Sequence, residues 1–387
     1  MKRKKVSELA KQIRGVSYKT EDLHENLDEN SVTLLRANNI FEGRINFDDV
    51  VYVDKSRVAR EQYLCKGDIL VCASSGSKQL VGKAASFNFD TECTFGAFCK
   101  VVRPNQDVAN YLSMYFQSNA YRRKISEVAI GANINNIRNE HIDALELPIG
   151  SNAENEKVVA SFSLLQQIID GRKQQLHKLD ELIKARFVEL FGDPVSNPKA
   201  WEMVSLGKRC EIVTGNTPSR AEPENYGEFI EWIKSDNINT PFTFVTKAQE
   251  YLSEAGFKKC RFVEAGSLLM TCIAGSINCI GNVAVTDRRV AFNQQINAIV
   301  PEQDEVLYLY WLMLLSKPAI HGTINMALKG ILSKGQLAKL TFPFPPIELQ
   351  EQFAAFVEQV DKSKVAVQKA LDEAQLLFDS LMQKYFG

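Results

Sequence analysis

The chain has 387 residues, of which 45% are apolar and 24% charged, and its formal net charge is −1. This is an ordinary globular composition with room for two domains, and the neutral balance argues against a dedicated nucleic-acid binder while allowing local basic patches. No apolar run is long enough to span a membrane, and no apolar stretch follows the basic start, so we expect neither a membrane protein nor a secreted one. The eight cysteines lack the spacing of a zinc site, which favours small buried thiols in a reducing cytoplasm.

The first globular part alternates short β-like runs with helical ones. Residues 68–72 (DILVC) are typical of a buried strand, and residues 108–128 have the periodicity of an amphipathic helix. Ser151 and Glu154 have the spacing of a capping box, which predicts that another helix begins there. The sequence Gly192-Asp193-Pro194 ends it, because glycine favours the position after a helix and proline prevents continuation.

This predicted helix carries a long heptad pattern, and adding 195 to each residue number gives a second one near the end of the chain. Arg172 and Arg186 occupy the remaining positions of the first series, and Lys364 is the charged position of the second, where it could loosen the packing or face a partner. The predicted helix seam consists of Val158, Phe162, Leu165, Ile169, Leu176, Leu179, Ile183 and Leu190 in the first helix, and of Phe353, Val357, Val360, Val367, Leu371, Phe378, Leu381 and Tyr385 in the second. At about 1.5 Å per residue, the apolar stripe of the first helix is roughly 48 Å long. An isolated helix that exposed such a stripe to water would be unstable, so we expect the two stripes to pack on each other.

The rest of the chain is duplicated too. Residues 35–40 resemble residues 233–238, and glycines, prolines and apolar positions match in order at offsets of 195–199. The second part repeats the predicted strand at 267–272 and the predicted helix at 306–315, and Pro345-Pro346 opens the second long helix. Such a steady order indicates gene duplication.

The duplication and the seam together predict the architecture. We predict an α+β fold with two similar α+β domains, joined by two long antiparallel helices that form a coiled-coil rod with an internal pseudo-two-fold repeat. The helices should be antiparallel because the second globular part directly follows the end of the first helix. The predicted boundaries are 1–150, 151–192, 193–345 and 346–387 for the first domain, first helix, second domain and second helix.

Catalytic motifs are not supported by their spacing. The segment 76–84 resembles a phosphate-binding loop, but five residues separate its glycines where the motif has four, and Ala84 replaces the hydroxyl residue. Residues 154–157 (ENEK) resemble part of a nuclease site, yet charged residues are normal at a helix start. The four histidines are scattered. We therefore expect no catalytic residue and no metal site in this chain.

Two segments indicate a family. Residues 178–194 (KLDELIKARFVELFGDP) resemble the end of the central conserved helix in specificity subunits of type I restriction-modification enzymes, and residues 344–362 are similar to the opening of their distal conserved helix. The resemblance covers nearly the whole chain and is specific in the helices. It implies that each globular part is a target recognition domain for one half of a bipartite, asymmetric DNA site, and that the helices set the spacing between the halves.

The resemblance also implies partners. Two methyltransferase subunits would dock on the helices and two motor-nuclease subunits would join them, in the cytoplasm and without a membrane. The partners would methylate adenine at N6 and cleave DNA, so S-adenosylmethionine, ATP and magnesium are expected in those subunits and no cofactor in this chain.

Candidate DNA contacts are polar residues in the predicted loops. Arginine, asparagine and glutamine can make paired hydrogen bonds to base edges, whereas serine, threonine and lysine can hold phosphates. An equally open interpretation of each residue is a polar loop without a ligand. The candidates are Arg36, Asn38, Asn39, Ser74, Ser75, Ser77, Lys78, Asn133, Asn135, Asn136 and Arg138 in the first domain, and Thr214, Thr217, Ser219, Arg220, Lys234, Asp236, Asn237, Ser276, Asn278, Gln294, Gln295, Lys329 and Lys334 in the second.

Two other functions stay open from the residues. A coiled-coil adaptor would hold proteins together without binding DNA, and a DNA-targeting subunit of another defence complex would share the same plan. DNA retention that falls steeply with salt separates the adaptor from the DNA-binding functions.

Overall fold

A computed structural model of the chain describes residues 2–77, 79–128, 135–324 and 330–387. The chain divides into two compact units, which we call the first unit (residues 1–173 and 369–387) and the second unit (residues 174–368). Each unit therefore contains one globular part and a portion of both long helices. None of the described helices is long and apolar enough to cross a membrane.

The N-terminal globular part is built from short strands and helices. Its strands are β1 (Lys2–Lys5), β2 (Ala10–Arg14), β3 (Leu23–His24), β4 (Ser31–Leu35), β5 (Ile40–Phe41), β6 (Arg44–Ile45), β7 (Val51–Asp54), β8 (Asp68–Cys72), β9 (Ser74–Ser75), β10 (Ala84–Phe87), β11 (Cys93–Phe95), β12 (Cys99–Pro104), β13 (Asn135–Asn136) and β14 (Glu146–Ile149). Its helices are α1 (Val6–Leu9), α2 (Ala109–Gln117), α3 (Asn119–Val128) and α4 (Asn139–Asp143), and the long helix α5 (Asn152–Phe191) follows.

The second globular part has a similar inventory. Its strands are β15 (Met203–Ser205), β16 (Cys210–Thr214), β17 (Tyr226–Ile233), β18 (Tyr251–Leu252), β19 (Phe262–Val263), β20 (Leu268–Thr271), β21 (Ile273–Ala274), β22 (Val283–Val285), β23 (Val290–Phe292), β24 (Ile296–Pro301), β25 (Gly330–Ile331) and β26 (Thr341–Pro343). Its helices are α6 (Glu254–Lys258), α7 (Val306–Gly322) and α8 (Lys334–Lys339), and the long helix α9 (Ile347–Phe386) follows.

The strand order is repeated in the two units. An antiparallel sheet of order β10-β8-β12-β2 in the first unit corresponds to β22-β20-β24-β16 in the second. In the other sheet, the parallel pair β4–β11 corresponds to β17–β23, and β7 and β18 are the antiparallel neighbours on the same side. The outer strand differs, because β3 extends this sheet on β7 whereas β19 extends it on β23. The predicted duplication is therefore confirmed at the level of topology.

Each unit contains its own contact between α5 and α9. In the first unit, Phe162 near the start of α5 packs on Phe378 near the end of α9, with ring centroids 5.2 Å apart. In the second unit, Phe187 near the end of α5 packs on Phe353 near the start of α9, at 5.4 Å. The helices thus run in opposite directions, as predicted.

One tyrosine in each unit lies between the globular part and the long helices. Tyr111 in α2 donates its hydroxyl to the carbonyl of Pro148 at 2.9 Å, and its counterpart Tyr308 in α7 donates to Pro343 at 2.7 Å. Tyr111 packs on Phe386 at 5.2 Å between ring centroids, within the first unit. Tyr308 packs on Phe191 of α5 at 4.9 Å within the second unit, so the same buried aromatic arrangement anchors the globular part of each unit to its helix portions.

The helix starts and stops follow the sequence signals, with one difference. Ser151 and Glu154 exchange capping-box hydrogen bonds, and Gly192 adopts a φ of +80° at the end of α5. The single helix predicted at 108–128 is two helices, because Ser118 is extended with ψ of 151° and its hydroxyl accepts the N–H of Tyr121. Serine favours this capping position over a helix interior, which explains the break.

Candidate DNA interface

The first unit has a turn directly after β4, formed by residues 36–39, which we call the Arg36 turn. Asn39 is fully buried in it, with an exposed fraction of 0%. Its side-chain oxygen accepts the N–H of Arg36 at 2.8 Å, and its amide nitrogen donates to the carbonyls of Asn46 and Asp49 at 3.1 and 3.0 Å. The amide is fully used inside the chain, so Asn39 shapes the turn, and its predicted contact with a base stays a prediction.

The exposed side of this turn carries a charged cluster. The Arg36 guanidinium approaches an Asp49 carboxylate oxygen at 2.9 Å, and the Asn38 amide donates to the other oxygen at 2.7 Å. About a third of the Arg36 side chain is exposed, at 34%. Arg36 and Asn38 therefore lie together on the surface, held by a carboxylate that the sequence did not identify.

The second unit has the same turn after β17, formed by residues 234–237, which we call the Lys234 turn. Asn237 accepts the N–H of Lys234 at 3.0 Å and donates to the Thr246 hydroxyl and the Lys247 carbonyl, at 3.2 and 3.1 Å. It is only 8% exposed and shapes its turn as Asn39 does, and its predicted contact with a base stays a prediction. Asp236 in this turn is exposed.

Two cations meet one carboxylate beside the Lys234 turn. Lys234 and Arg220 both form ion pairs with Glu250, and the Arg220–Glu250 distance is 2.9 Å. The hydrogen bond from Lys234 holds the pKa of the Glu250 carboxyl below its usual range. The Arg220 guanidinium also lies over the Tyr226 and Trp232 rings, at 5.2 and 5.7 Å from their centroids. One ionised carboxylate facing two cations leaves this group of three side chains with a net positive charge.

A two-stranded ribbon carries the next candidates of the first unit. In this first ribbon, β9 pairs with β13, so that Ser74 lies opposite Asn136 and Ser75 opposite Asn135. Ser77 and Arg138 are exposed beside it, and Arg138 has an ion pair with Glu140 at 3.7 Å. Only the backbone of Asn135 is described, and the candidates Lys78 and Asn133 lie outside the described residues.

The second ribbon, formed by β21 and β25, is its counterpart. Ser276, Asn278 and Lys334 are exposed close to it along the chain, and Lys329 lies outside the described residues. Each ribbon is held by one carbonyl: Phe98 accepts two backbone N–H groups at the first ribbon, and Gln295 accepts two at the second. Phe98 is 69% exposed, and polarity-based reasoning missed this aromatic side chain.

The remaining candidates of the second unit differ in exposure. Thr217 is exposed and donates its hydroxyl to Gln294, which is also exposed. Thr214 is half-buried and bonded to Asn297 at 2.7 Å. The Ser219 hydroxyl accepts the N–H of Ala221 at 3.3 Å and remains on the surface. The exposed members can reach a ligand as they stand.

The helix seam lies largely where its spacing placed it. Of the predicted seam, the buried members are Val158, Phe162, Leu165, Ile169, Ile183, Phe353, Val357, Val360 and Val367, and the half-buried ones are Leu176, Leu179, Leu190, Leu371, Phe378, Leu381 and Tyr385. The seam prediction missed four large apolar side chains that are buried, namely Phe187, Phe191, Met382 and Phe386.

The missed seam residues share one cause. Phe187 and Phe191 follow Ile183 in steps of four, whereas the heptad pattern continues through Arg186 and Leu190. Steps of four drift around a helix, so this part of α5 turns its apolar side toward the globular core. Met382 and Phe386 show the same drift at the end of α9. The helical period of 3.6, rather than the heptad period, would have identified all four.

No group of three or more histidine, cysteine, aspartate or glutamate side chains in the described ranges could hold a metal ion.

Lys364, the charged seam position, lies 2.7 Å from Asp180 and 3.5 Å from Asp361. The described charged surfaces, the two turns among them, therefore offer hydrogen bonding and charge to a ligand.

Comparison with known proteins shows which family this chain resembles. Residues 198–374 match the family described as the type I restriction modification DNA specificity domain. The chain is 38% identical to the StySPI specificity subunit of Salmonella potsdam over 180 residues, which are 46% of this chain and 39% of that relative. It is 27% identical to the EcoKI specificity subunit of Escherichia coli strain K12, over 98% of this chain and 87% of the relative.

Solved structures share the fold over the full chain. The S subunit of a type I restriction-modification system from M. genitalium matches with a TM-score of 0.57 at 14% identity, covering 100% of this chain and 96% of that one. A chain from a study of assembly and conformational transition of the type I restriction-modification system matches at 0.56 and 16%, covering 100% and 97%. With its duplicated domains, its paired long helices and a full-length relative, this chain is similar over nearly its whole length to the specificity subunits of type I restriction-modification enzymes.

Proposed function

We propose that this chain is the sequence-specific DNA-binding subunit of a type I restriction-modification complex. Each globular part reads one half of a bipartite, asymmetric site, and the two long helices set the spacing and dock the methyltransferase subunits. The observation that carries the proposal is the repetition of one surface design. Both units present a cation-bearing turn and a two-stranded ribbon at equivalent places on a similar strand order.

The chemistry of these surfaces suits duplex DNA. Arginine, lysine, asparagine and glutamine donors match the acceptors on base edges, and hydroxyl groups match phosphate oxygens. The near-neutral net charge is consistent with a complex in which partner subunits share the phosphate contacts.

In this proposal the chain itself is not catalytic. Two methyltransferase subunits flip and methylate an adenine with S-adenosylmethionine, and two motor-nuclease subunits use ATP and magnesium to move and cleave DNA. The chain contributes the choice of site and the geometry of assembly. The competing adaptor function is not favoured, because the family and the shared fold are those of specificity subunits.

The direct test is to express the chain with the methyltransferase encoded beside it and to sequence modified adenines across the host DNA. We expect one split, asymmetric motif, and we expect the purified complex to bind that duplex more tightly than a scrambled duplex. The logarithm of affinity should fall linearly with the logarithm of salt concentration. A complex that forms but neither modifies a defined motif nor retains DNA would support the adaptor and contradict the proposal.

A further inference from the structure

The two cations of the turns are both held by carboxylates. Oδ1 of Asp49 lies 2.9 Å from Nη2 of Arg36, and Glu250 forms an ion pair with Lys234. The side chains of Arg36 and Lys234 are 34% and 32% exposed. In both units the cation is thus fixed on one side by an acid and open to solvent on another.

The acids reach the cations from different places in the sheet. The register of β4 and β7, extended by two residues, places Asp49 opposite Arg36, whereas the register of β17 and β18 places Glu250 opposite Trp232. The two acids therefore do not occupy equivalent positions in the two sheets. The feature that the units share is the pair itself, so the pair needs an explanation beyond the fold.

Stability does not supply that explanation. Ion pairs between partly exposed side chains contribute little to folding. A carboxylate on a surface that meets DNA also repels the phosphates and lowers affinity for any sequence. An acid at this position is useful when it limits the orientations of the cation, because a side chain that is already ordered loses less entropy on binding.

Orientation matters most for base recognition. The guanidinium of arginine is planar, so its N–H groups point in fixed directions. The ammonium of lysine lies at the end of a flexible side chain, and its orientation is restricted when a carboxylate is bound on one side. Guanine offers two acceptors, O6 and N7, in the major groove, and arginine or lysine is its common partner. A phosphate, in contrast, accepts a cation from many directions.

We propose that Asp49 and Glu250 are positioning residues that hold Arg36 and Lys234 toward a guanine edge, one in each half-site. This inference rests on the proposed function and makes it more specific. It predicts a guanine in each half-site whose N7 is read through the turn, and it assigns sequence discrimination in part to two acids that do not themselves donate to DNA.

The test uses the complex of the full chain with its methyltransferase and three kinds of duplex. The first carries the mapped site, the second a scrambled site, and the third has 7-deazaguanine, which lacks the N7 acceptor, at one guanine at a time. The variants are Asp49→Asn and Glu250→Gln. The matched controls are Asp90→Asn and Glu264→Gln, which change the charge equally in other ion pairs, with Lys66 and Arg289, each at 2.6 Å.

We expect the wild-type complex to lose about tenfold affinity at one 7-deazaguanine position in each half-site. Asp49→Asn should abolish that sensitivity in one half-site and Glu250→Gln in the other. In each variant the affinity for the mapped site should fall while that for the scrambled site is unchanged or rises, because a repulsive charge has been removed. The controls should keep the wild-type preference.

Three results would overturn the inference. Equal losses on mapped and scrambled duplexes would mean that the acids only support the fold, and equal gains would mean that they only repel DNA. A wild-type complex that is insensitive to 7-deazaguanine at every guanine, yet still prefers the mapped site, would exclude the guanine edge while leaving the proposed function intact. A wild-type complex without any preference would reject the proposed function itself.

Discussion

The Arg36 turn and the Lys234 turn show where the two units agree and where they have diverged. In both, a buried asparagine accepts the backbone N–H of the cationic residue and donates to the segment leading into the next strand. The side chains around them differ: an arginine, an asparagine and an aspartate meet at the first turn, whereas a lysine, an arginine that lies over two aromatic rings, and a glutamate meet at the second. Duplication kept the buried scaffold and changed the surface, as expected when each half reads a different sequence.

The long helices show the same contrast at one seam position. Ile169 is 2% exposed in the first unit, whereas the equivalent residue of the second unit is Lys364, paired with Asp180 and Asp361. An apolar contact and an ion-pair cluster thus fill the same place in the two helices. The two units therefore differ at matched positions in the helix packing as well as in the turns, and substitutions at these positions can test what each difference does.

The largest effect is expected where the helices enter the cores. Phe187→Ala should lower the free energy of unfolding of the second unit by about 3–5 kcal/mol, and its counterpart Met382→Ala that of the first by about 2–5 kcal/mol, because each leaves a cavity. Chemical denaturation followed by a probe in each unit measures both. Val188→Ala, at a position 42% exposed, is the control and should change stability little. A loss equal to that of the control would contradict the assigned packing.

A smaller effect is expected at the shared asparagines. Asn39→Ala or Asn237→Ala should each cost about 1–3 kcal/mol, because buried backbone groups lose their partners. Each variant should also weaken discrimination in its own half-site, since the turn loses its shape. Asn88→Ala, on the exposed surface of the first unit, is the matched control. Stable variants with full discrimination would show that the turns do not depend on these amides.

The smallest effect is expected at the seam. Burial raises the pKa of the Asp361 carboxyl, and Lys364 is the group that opposes this rise. Lys364→Ile should therefore destabilise the second unit at neutral pH by about 1 kcal/mol or less. The difference from wild type should shrink as the pH falls toward the raised pKa, because protonation removes the unpaired charge. Denaturation midpoints across pH measure this, and a difference that grows on acidification would contradict it.

Much of the architecture could be predicted because it depends on patterns that repeat. The apolar run of Asp68–Cys72 is the strand β8, and the heptad spacing located the long helices. The capping box and the final glycine fixed the ends of α5, since each signal acts through nearby backbone groups. The break at Ser118 was not foreseen, because amphipathic periodicity continues across it on both sides.

The interface was less predictable because it depends on long-range contacts. Arg36 and Lys234 were identified as polar residues after a strand, but their acids Asp49 and Glu250 are 13 and 16 residues away along the chain. Polarity also could not separate Asn38, which is exposed, from Asn39, which is buried. Only the fold decides which side of a turn faces solvent, so neighbouring asparagines received the same prediction.

The central claim is that each unit reads its own half-site, and mapping of methylated adenines tests it most directly. Cells would express the chain with its methyltransferase as wild type, as Arg36→Ala and as Lys234→Ala, with protein level and fold verified. The account predicts that each substitution makes one half of the motif degenerate, that the two substitutions affect opposite halves, and that the spacer is unchanged. A single substitution that alters base preference in both halves of the motif would contradict it.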